Sequence, residues 1–334
     1  MGFEFSGLMP SSGSVTPFLD PAILFFGVGL FAGLVRSNLE IPQPVSRFLS
    51  LYLLMALGLK GGFALAQSGL TPEIASGLGA AVLLAIVVPV LGYAVLRRLV
   101  SGFDAAALAA TYGSVSAVTF ITATQHLETH GVAYGGHMAA AMALMESPAI
   151  ILAVVLANRL RRERGGLAPS SGAGAILRES FTEGAQLLLM GAMLVGIVSG
   201  EAGKAAMQPF TGDLFKGLLA FFLLDMGLNA ARNLPEVRGK SPMVVAYALL
   251  APLVHAALAL GLAVALGLSR GDGALLMVLA ASASYIAVPA VLRHAMPEAN
   301  PSLYFGLSLG VTFPFNLIVG IPLYSGFASR FLGA

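Results

Sequence analysis

The chain of 334 residues contains no cysteine and no tryptophan, and only 10% of its residues are charged. Without cysteine there is no disulfide and no thiolate metal site. Without tryptophan, any belt at a membrane interface falls to tyrosine and arginine. The shortage of charge is the most restrictive of the three. A soluble domain carries roughly 25% charged residues. This chain is 57% apolar, with a mean hydropathy of +0.87, and lacks the polar side chains to cover an aqueous surface. A soluble enzyme, a nucleic-acid binder and a disordered tail are excluded on that ground. The motifs of soluble enzymes are missing too: there is no P-loop, no nucleophile elbow and no HExxH. The net charge of +2 says little about partners.

What the sequence has instead is long apolar runs. A helix crossing the bilayer takes about 20 apolar residues. Ten stretches fit: 18–36, 44–66, 74–98, 105–128, 137–160, 182–200, 212–233, 242–268, 273–296 and 301–326, each bounded by a charge, Pro or Gly. The segment Met1 to Asp20 has no basic n-region and no A-x-A-like cleavage site, so it is expected to stay in the mature protein. With the N-terminus outside, the loops after spans 1, 3, 5, 7 and 9 hold 13 of the 18 Lys and Arg residues; the outer loops and tail hold four, and Lys60 lies inside a span. The positive-inside rule therefore predicts a multi-pass protein with both termini outside, and the expected location is the bacterial plasma (inner) membrane.

The halves resemble each other. Gly58-Leu59 recurs as Gly227-Leu228, Ser114-Val115-Ser116 as Ser282-Ala283-Ser284, and Pro148 as Pro314, all at an offset of 166–169 residues. This divides the chain into a first five-helix repeat (18–162), a cytoplasmic linker rich in Gly, Ser, Pro and Ala (163–181), and a second five-helix repeat (182–328). An odd number of spans turns the second copy upside down, the inverted-repeat plan of secondary transporters. The expected fold is all-α, with ten transmembrane helices in two inverted repeats.

Spans 4 and 9 are interrupted by Tyr112-Gly113-Ser114-Val115-Ser116 and Ala281-Ser282-Ala283-Ser284-Tyr285. Ser and Gly are weak helix formers, and paired interruptions in equivalent spans point to a transport site. The competing explanation is that small residues simply let helices pack closely. If both helices break, their second halves start at mid-membrane. A helix start has unpaired N–H groups and about +0.5 charge, so two of them form an anion cradle without arginine. The hydroxyls of Ser114, Ser116, Thr119, Ser282 and Ser284 add neutral donors. Such a site suits a small monoanion.

Glu146, Asp225 and Lys60 lie deep in spans, where a charge costs about 2.5–3.5 kcal/mol on insertion scales and usually has a role or a partner. Glu146 precedes Pro148, which frees carbonyl oxygens; the two together offer hard ligands for a cation. Thr312 and Asn316 flank Pro314 in the other repeat and offer neutral oxygens. An anion and ionised Glu146, against two helix starts, sum to about −1. A sodium ion or a proton on Glu146 would close that balance. Asp225 and Lys60, on the repeat-related Gly-Leu segments, read as an interdomain pair or a packing feature. His126, His130, His137 and His294 fall near the interfaces, where solvated histidines are ordinary; His255 lies deeper.

The segment ASASYIAVPAVLRHAMPEANPSLYFGLSLGVTFPFNLIVGIPLY (281–324) closely resembles the cyanobacterial sodium-dependent bicarbonate transporter family. GLKGG, YGSVSAVTF, MESPAIILAVVLANRL and LLDMGLNAARNL resemble it as well. The resemblance implies bicarbonate uptake coupled to co-transported sodium, with no organic cofactor. It implies a core domain (spans 3–5 and 8–10) moving against a gate domain (spans 1, 2, 6 and 7), a homotrimer, and a PII-like regulatory protein on the cytoplasmic face. The substrate residues it implies are Gly113, Ser114, Ser116, Thr119, Ser282, Ala283, Ser284 and Tyr285. For the cation it implies Glu146 and Asn316, with Ser116, Ser284 and Thr312 supplying further oxygens. The alternatives are a proton- or sodium-coupled carrier of another small anion or carboxylate, and a membrane anion sensor that does not transport. A membrane enzyme would need a nucleophile–base pair at depth, and no such pairing is visible.

Overall fold

The computed structural model describes residues 20–69, 71–163, 184–237 and 239–333. The segment before Asp20 and all of the expected linker except Glu163 lie outside the described residues, as does Arg238. Helix is the regular structure of the described residues, with no strand among them. In chain order the helices are α1 (Pro21–Leu34), α2 (Gln43–Ser68), α3 (Pro72–Leu96), α4 (Gly102–Gly113), α5 (Ala117–Thr129), α6 (His137–Glu163), α7 (Gly184–Gln208), α8 (Phe215–Val237), α9 (Pro242–Leu266), α10 (Arg270–Ala281), α11 (Ala287–Ala295) and α12 (Pro301–Phe331).

Eight of the ten predicted apolar stretches each coincide with one of these helices, and the two expected to be interrupted are split between α4 and α5 and between α10 and α11. Seven helices are long and apolar enough to cross a membrane by themselves, with α4 and α5 counted as one. The remaining predicted spans miss that standard for physical reasons. At 1.5 Å per residue, the 14 residues of α1 reach only about 21 Å. The pieces α10 and α11 have 12 and 9 residues, and α8 carries Lys216, Asp225 and Arg232 along its length.

Helix starts are specified locally. Proline stands at the first turn of α1, α2, α3, α9 and α12, where its missing N–H costs nothing. The side chains of Asp20 and Thr71 cap α1 and α3. Two caps form a pair that the sequence reading overlooked. Ser101 accepts from the Asp104 amide at 3.1 Å at the start of α4, and Ser269 accepts from the Asp272 amide at 3.2 Å at the start of α10. Both Ser-x-x-Asp motifs open 12-residue helices that run into an interruption. The helices before them, α3 and α9, are 25 residues each. The two stretches thus share helix lengths and caps as well as the short sequence matches.

Two glycine seams join the outer helices. A Cβ on Gly62 of α2 would sit 2.1 Å from the Met193 carbonyl oxygen of α7, and one on Gly58 would sit 2.5 Å from the Leu189 oxygen. The repeat-related Gly227 of α8 meets the Phe26 oxygen of α1 at 2.2 Å. Each backbone approaches its partner as closely as only glycine allows. Overpacking costs about 1–3 kcal/mol and more where backbone must move. Gly62→Val is therefore expected to lose most of its monodisperse protein in size-exclusion chromatography, whereas Gly79→Val, at a glycine with open space around it, is expected to keep it.

The interrupted helices are innermost. Of the most apolar stretch of α4–α5, 94% is buried, against 28% for α7 with its continuation and 33% for α9. The outer helices present large apolar side chains such as Phe31, Leu194, Val198 and Met243 outward. On one side of the bundle, Arg161 of α6 holds Glu298 through two bonds of 2.7 and 2.8 Å and the Ala295 carbonyl at 2.9 Å. This clasp ties α6 to the turn that ends α11. Arg161→Ala leaves Glu298 and Ala295 without that partner. The variant is expected to lower the thermal midpoint by about 1–2 °C, as a loss near 1 kcal/mol does in a chain of this length.

Candidate functional site

The two interruptions meet. The Ser116 amide donates to Ser282 Oγ at 3.0 Å, and the Ser284 amide donates to the Thr111 carbonyl at 2.8 Å. Each crossing segment is thus bonded to the other through an atom freed when its helix broke. Ser282 Oγ also donates to the Leu279 carbonyl at 2.9 Å, so one hydroxyl serves both segments. Beyond the crossing the helices restart. Ser116 caps α5 by accepting from the Thr119 amide at 3.2 Å, and Ser284 Oγ accepts from the Val288 amide at 3.2 Å in the first turn of α11. Ser114, Ser116, Thr119, Ser282 and Ser284 are all at most 4% exposed. The Ser114 hydroxyl has no hydrogen-bond partner among the described residues. A buried polar atom left in that state costs about 1–3 kcal/mol, and Ser114, like Ser282, is not on the wall of the cavity beside the crossing.

A cavity of about 60 Å³ opens on this crossing. One water needs about 10–15 Å³ by this measure, so the cavity has room for about four to six water-sized groups. Its wall includes Ser116, Ala117 and Val118 at the start of α5, and Ser284 to Ala287 at the start of α11. The first amides of a helix have no partner within it. Two sets of them therefore border one small cavity. Glu146 of α6, partly buried, lines the same wall, as does Tyr285, whose ring packs edge-on against Phe313 at 5.1 Å.

The remaining expected site residues are placed otherwise. Gly113 is glycine because a Cβ there would meet Pro89 of α3 at 2.5 Å. Ala283 is buried in the apolar cluster with Tyr304 and Leu307. Thr119 lies one turn into α5, outside the cavity wall. Thr312 is engaged elsewhere: it donates to the Ala248 carbonyl at 2.7 Å, so the Tyr112 hydroxyl, 2.6 Å away, must be the donor to it. Asn316 donates to the Ala281 carbonyl at 2.8 Å and accepts from Tyr324 at 3.0 Å. It holds the last carbonyl of α10 beside the break and does not line the cavity. Two π turns, Ser308–Thr312 and Asn316–Gly320, flank Pro314 and set both side chains at their partners.

Some expectations need correction. Lys60 and Asp225 do not pair with each other: Lys60 binds Glu128 at 3.0 Å, and Asp225 accepts from Ser46. Asp225 meets the first part of α2 at Ser46, whereas Lys60, fourteen residues further along α2, lies over Phe215 at the start of α8. His126 and His137 are buried at 8% and 4% exposure and not solvated. The His126 ring lies 4.2 Å from that of His130, and His137 sits 4.0 Å from Asp272. The sequence reading missed Gln186 and Ser50 on the cavity wall; Gln186 donates to the Ala143 carbonyl at 2.8 Å. Gln186 is the single amide side chain between Gly184 and Gly200, and that isolation was a legible signal.

A model of the Na+-dependent bicarbonate transporter superfamily matches residues 21–329. The chain belongs to that superfamily. No curated protein matches it. As a superfamily member it is a multi-pass membrane transporter and not an enzyme, and bicarbonate and sodium are the substrates its family indicates. The match takes in both interruptions, Glu146 and the whole of the cavity wall.

Proposed function

We propose that this superfamily member carries bicarbonate into the cell with sodium by alternating access. The observation that carries the reading is the pair of reciprocal hydrogen bonds, Ser116 N to Ser282 Oγ and Ser284 N to Thr111 O, which crosses two helix starts beside one small cavity. The anion lies against the first amides of α5 and α11, with Ser116 and Ser284 adding hydroxyls. A cavity of this size suits a small anion such as bicarbonate. Sodium binds at Glu146 and the hydroxyl oxygens of Ser116 and Ser284, and it closes the charge balance of an anion and a carboxylate against two half-charged helix starts. Asn316 supports this centre from behind by fixing the end of α10.

The working architecture is ten crossings in two inverted five-helix repeats. Helices α3–α6 and α9–α12 rock as a core against α1, α2, α7 and α8. Leu53 and Leu54 of α2, Leu189 of α7 and Phe222 of α8 face the cavity from the gate side, so relative motion of the two bodies opens and closes it. The assembly is a trimer in the plasma membrane with both termini outside, and its cytoplasmic face receives a PII-like protein. Labelled bicarbonate is expected to accumulate in proteoliposomes under an inward sodium gradient and not under a potassium gradient of equal size. Equal uptake in the two salts would exclude sodium coupling. No uptake in either, with bicarbonate still raising the thermal midpoint, would identify a non-transporting sensor.

A further inference from the structure

A second cavity, of about 260 Å³, lies further along α2 than the first. The two are separated by one layer of side chains. Leu54, Ile121 and Met142 face the cavity at the crossing, while Leu57, Phe120 and Ala139 face the second. Helices α2, α5 and α6 thus each give one residue to either side of the wall, and all six residues are buried. Two chambers stacked along the same three helices are the two halves of one path, closed at this layer. In the topology proposed above, the second chamber faces the outside.

The second chamber holds a charged group of unusual setting. Lys60 sits in its wall, within 3.0 and 3.4 Å of the two Glu128 oxygens and 4.4 Å above the ring of Phe215. Tyr134 donates to Glu128 at 2.8 Å. Lys204 also lines the chamber but is held by Glu201 at 3.5 Å. The Lys60 side chain is 26% exposed, so it is reachable from the chamber. Its present partner is a planar carboxylate, and bicarbonate presents the same O–C–O edge. An arriving bicarbonate can replace Glu128 on Lys60 without leaving the ammonium bare, while Glu128, 35% exposed, turns to water.

We propose that this chamber is an anion-receiving site in which Lys60 binds bicarbonate by exchange with Glu128 before the ion passes to the crossing. This rests on the transport reading, and its test separates the two. Purified wild-type protein is treated with a water-soluble amine-acylating ester in sodium bicarbonate or in sodium chloride at equal ionic strength and pH, and acylation is read by mass spectrometry. Lys60 is expected to be modified at least threefold less in bicarbonate, with the exposed Lys216 unchanged, and Ser284→Ala is expected to keep that protection because the central site is not its cause. In proteoliposomes, Lys60→Gln is expected to raise the half-saturating bicarbonate concentration at least fivefold. Glu128→Gln, which removes the competitor, is expected to lower it. A purely structural ion pair moves both variants the same way, since both break it. Equal Lys60 modification in the two salts, or a shift in the same direction for both variants, overturns the proposal. Protection of Lys60 with no sodium-driven uptake by the wild type overturns the transport reading and leaves the anion site standing.

Discussion

Glu146→Gln is expected to abolish sodium-driven bicarbonate uptake while leaving folded protein. The substitution keeps the size and shape of the side chain and removes one negative charge at the cavity wall. A hard cation takes oxygen ligands and favours a carboxylate. With Gln in place, the anion and the two helix starts already sum to about zero, so sodium loses its electrostatic reason to bind. Bicarbonate binding and sodium coupling therefore separate. Uptake is expected to fall at least a hundredfold, and bicarbonate is expected still to raise the thermal midpoint, now equally in sodium and potassium. Full sodium-dependent uptake by Glu146→Gln would remove Glu146 from the cation site. Uptake that survives but follows a proton gradient in the wild type would instead assign Glu146 a proton. The two outcomes differ in their ion dependence, so one set of gradients resolves them.

The positions of the helices and of their breaks were legible because both rest on local chemistry. Apolar length, proline at first turns and Ser or Gly at interruptions act within a few residues, and each left a mark in the chain. The partners of charged groups were not legible. Lys60 and Asp225 share a repeat-related motif, yet Lys60 finds Glu128 across 68 residues and Asp225 finds Ser46 across 179. Nothing local encodes such a pairing. The oxygens expected from the sequence to hold a cation split the same way. Glu146 reaches the cavity from a regular helical face, whereas the π turns around Pro314 aim Thr312 at Ala248 and Asn316 at Ala281. A π turn adds a residue to the helical period, so faces assigned by a 3.6-residue repeat slip beyond it. Gly113 shows the reverse case: its glycine belongs to the site motif in sequence, but Pro89 of α3 supplies the reason for it.

Ser282→Ala is expected to impair transport although Ser282 is not on the cavity wall. Ser284 Oγ accepts one amide within its own segment, and Ser116 Oγ does the same. Ser282 Oγ alone bridges the two interruptions, accepting from Ser116 N and donating to Leu279 O at 0% exposure. Removing it leaves the buried Ser116 amide unpaired, a loss of about 1–3 kcal/mol, and releases the start of α5 from the end of α10, while the Leu279 carbonyl keeps the Ser282 amide at 3.3 Å. The amides of α5 would then no longer be held beside those of α11. Uptake is expected to drop at least thirtyfold, with the half-saturating bicarbonate concentration raised as well, because the cradle and not the cation site is damaged. Ser282→Thr restores the oxygen and is expected to recover part of the activity. Ser282→Ala with a wild-type half-saturating concentration would show that the crossing needs no hydroxyl clasp. Binding would then rest on the two helix starts being fixed by packing alone, through Pro89 against Gly113 on one side and Phe313 against Tyr285 on the other.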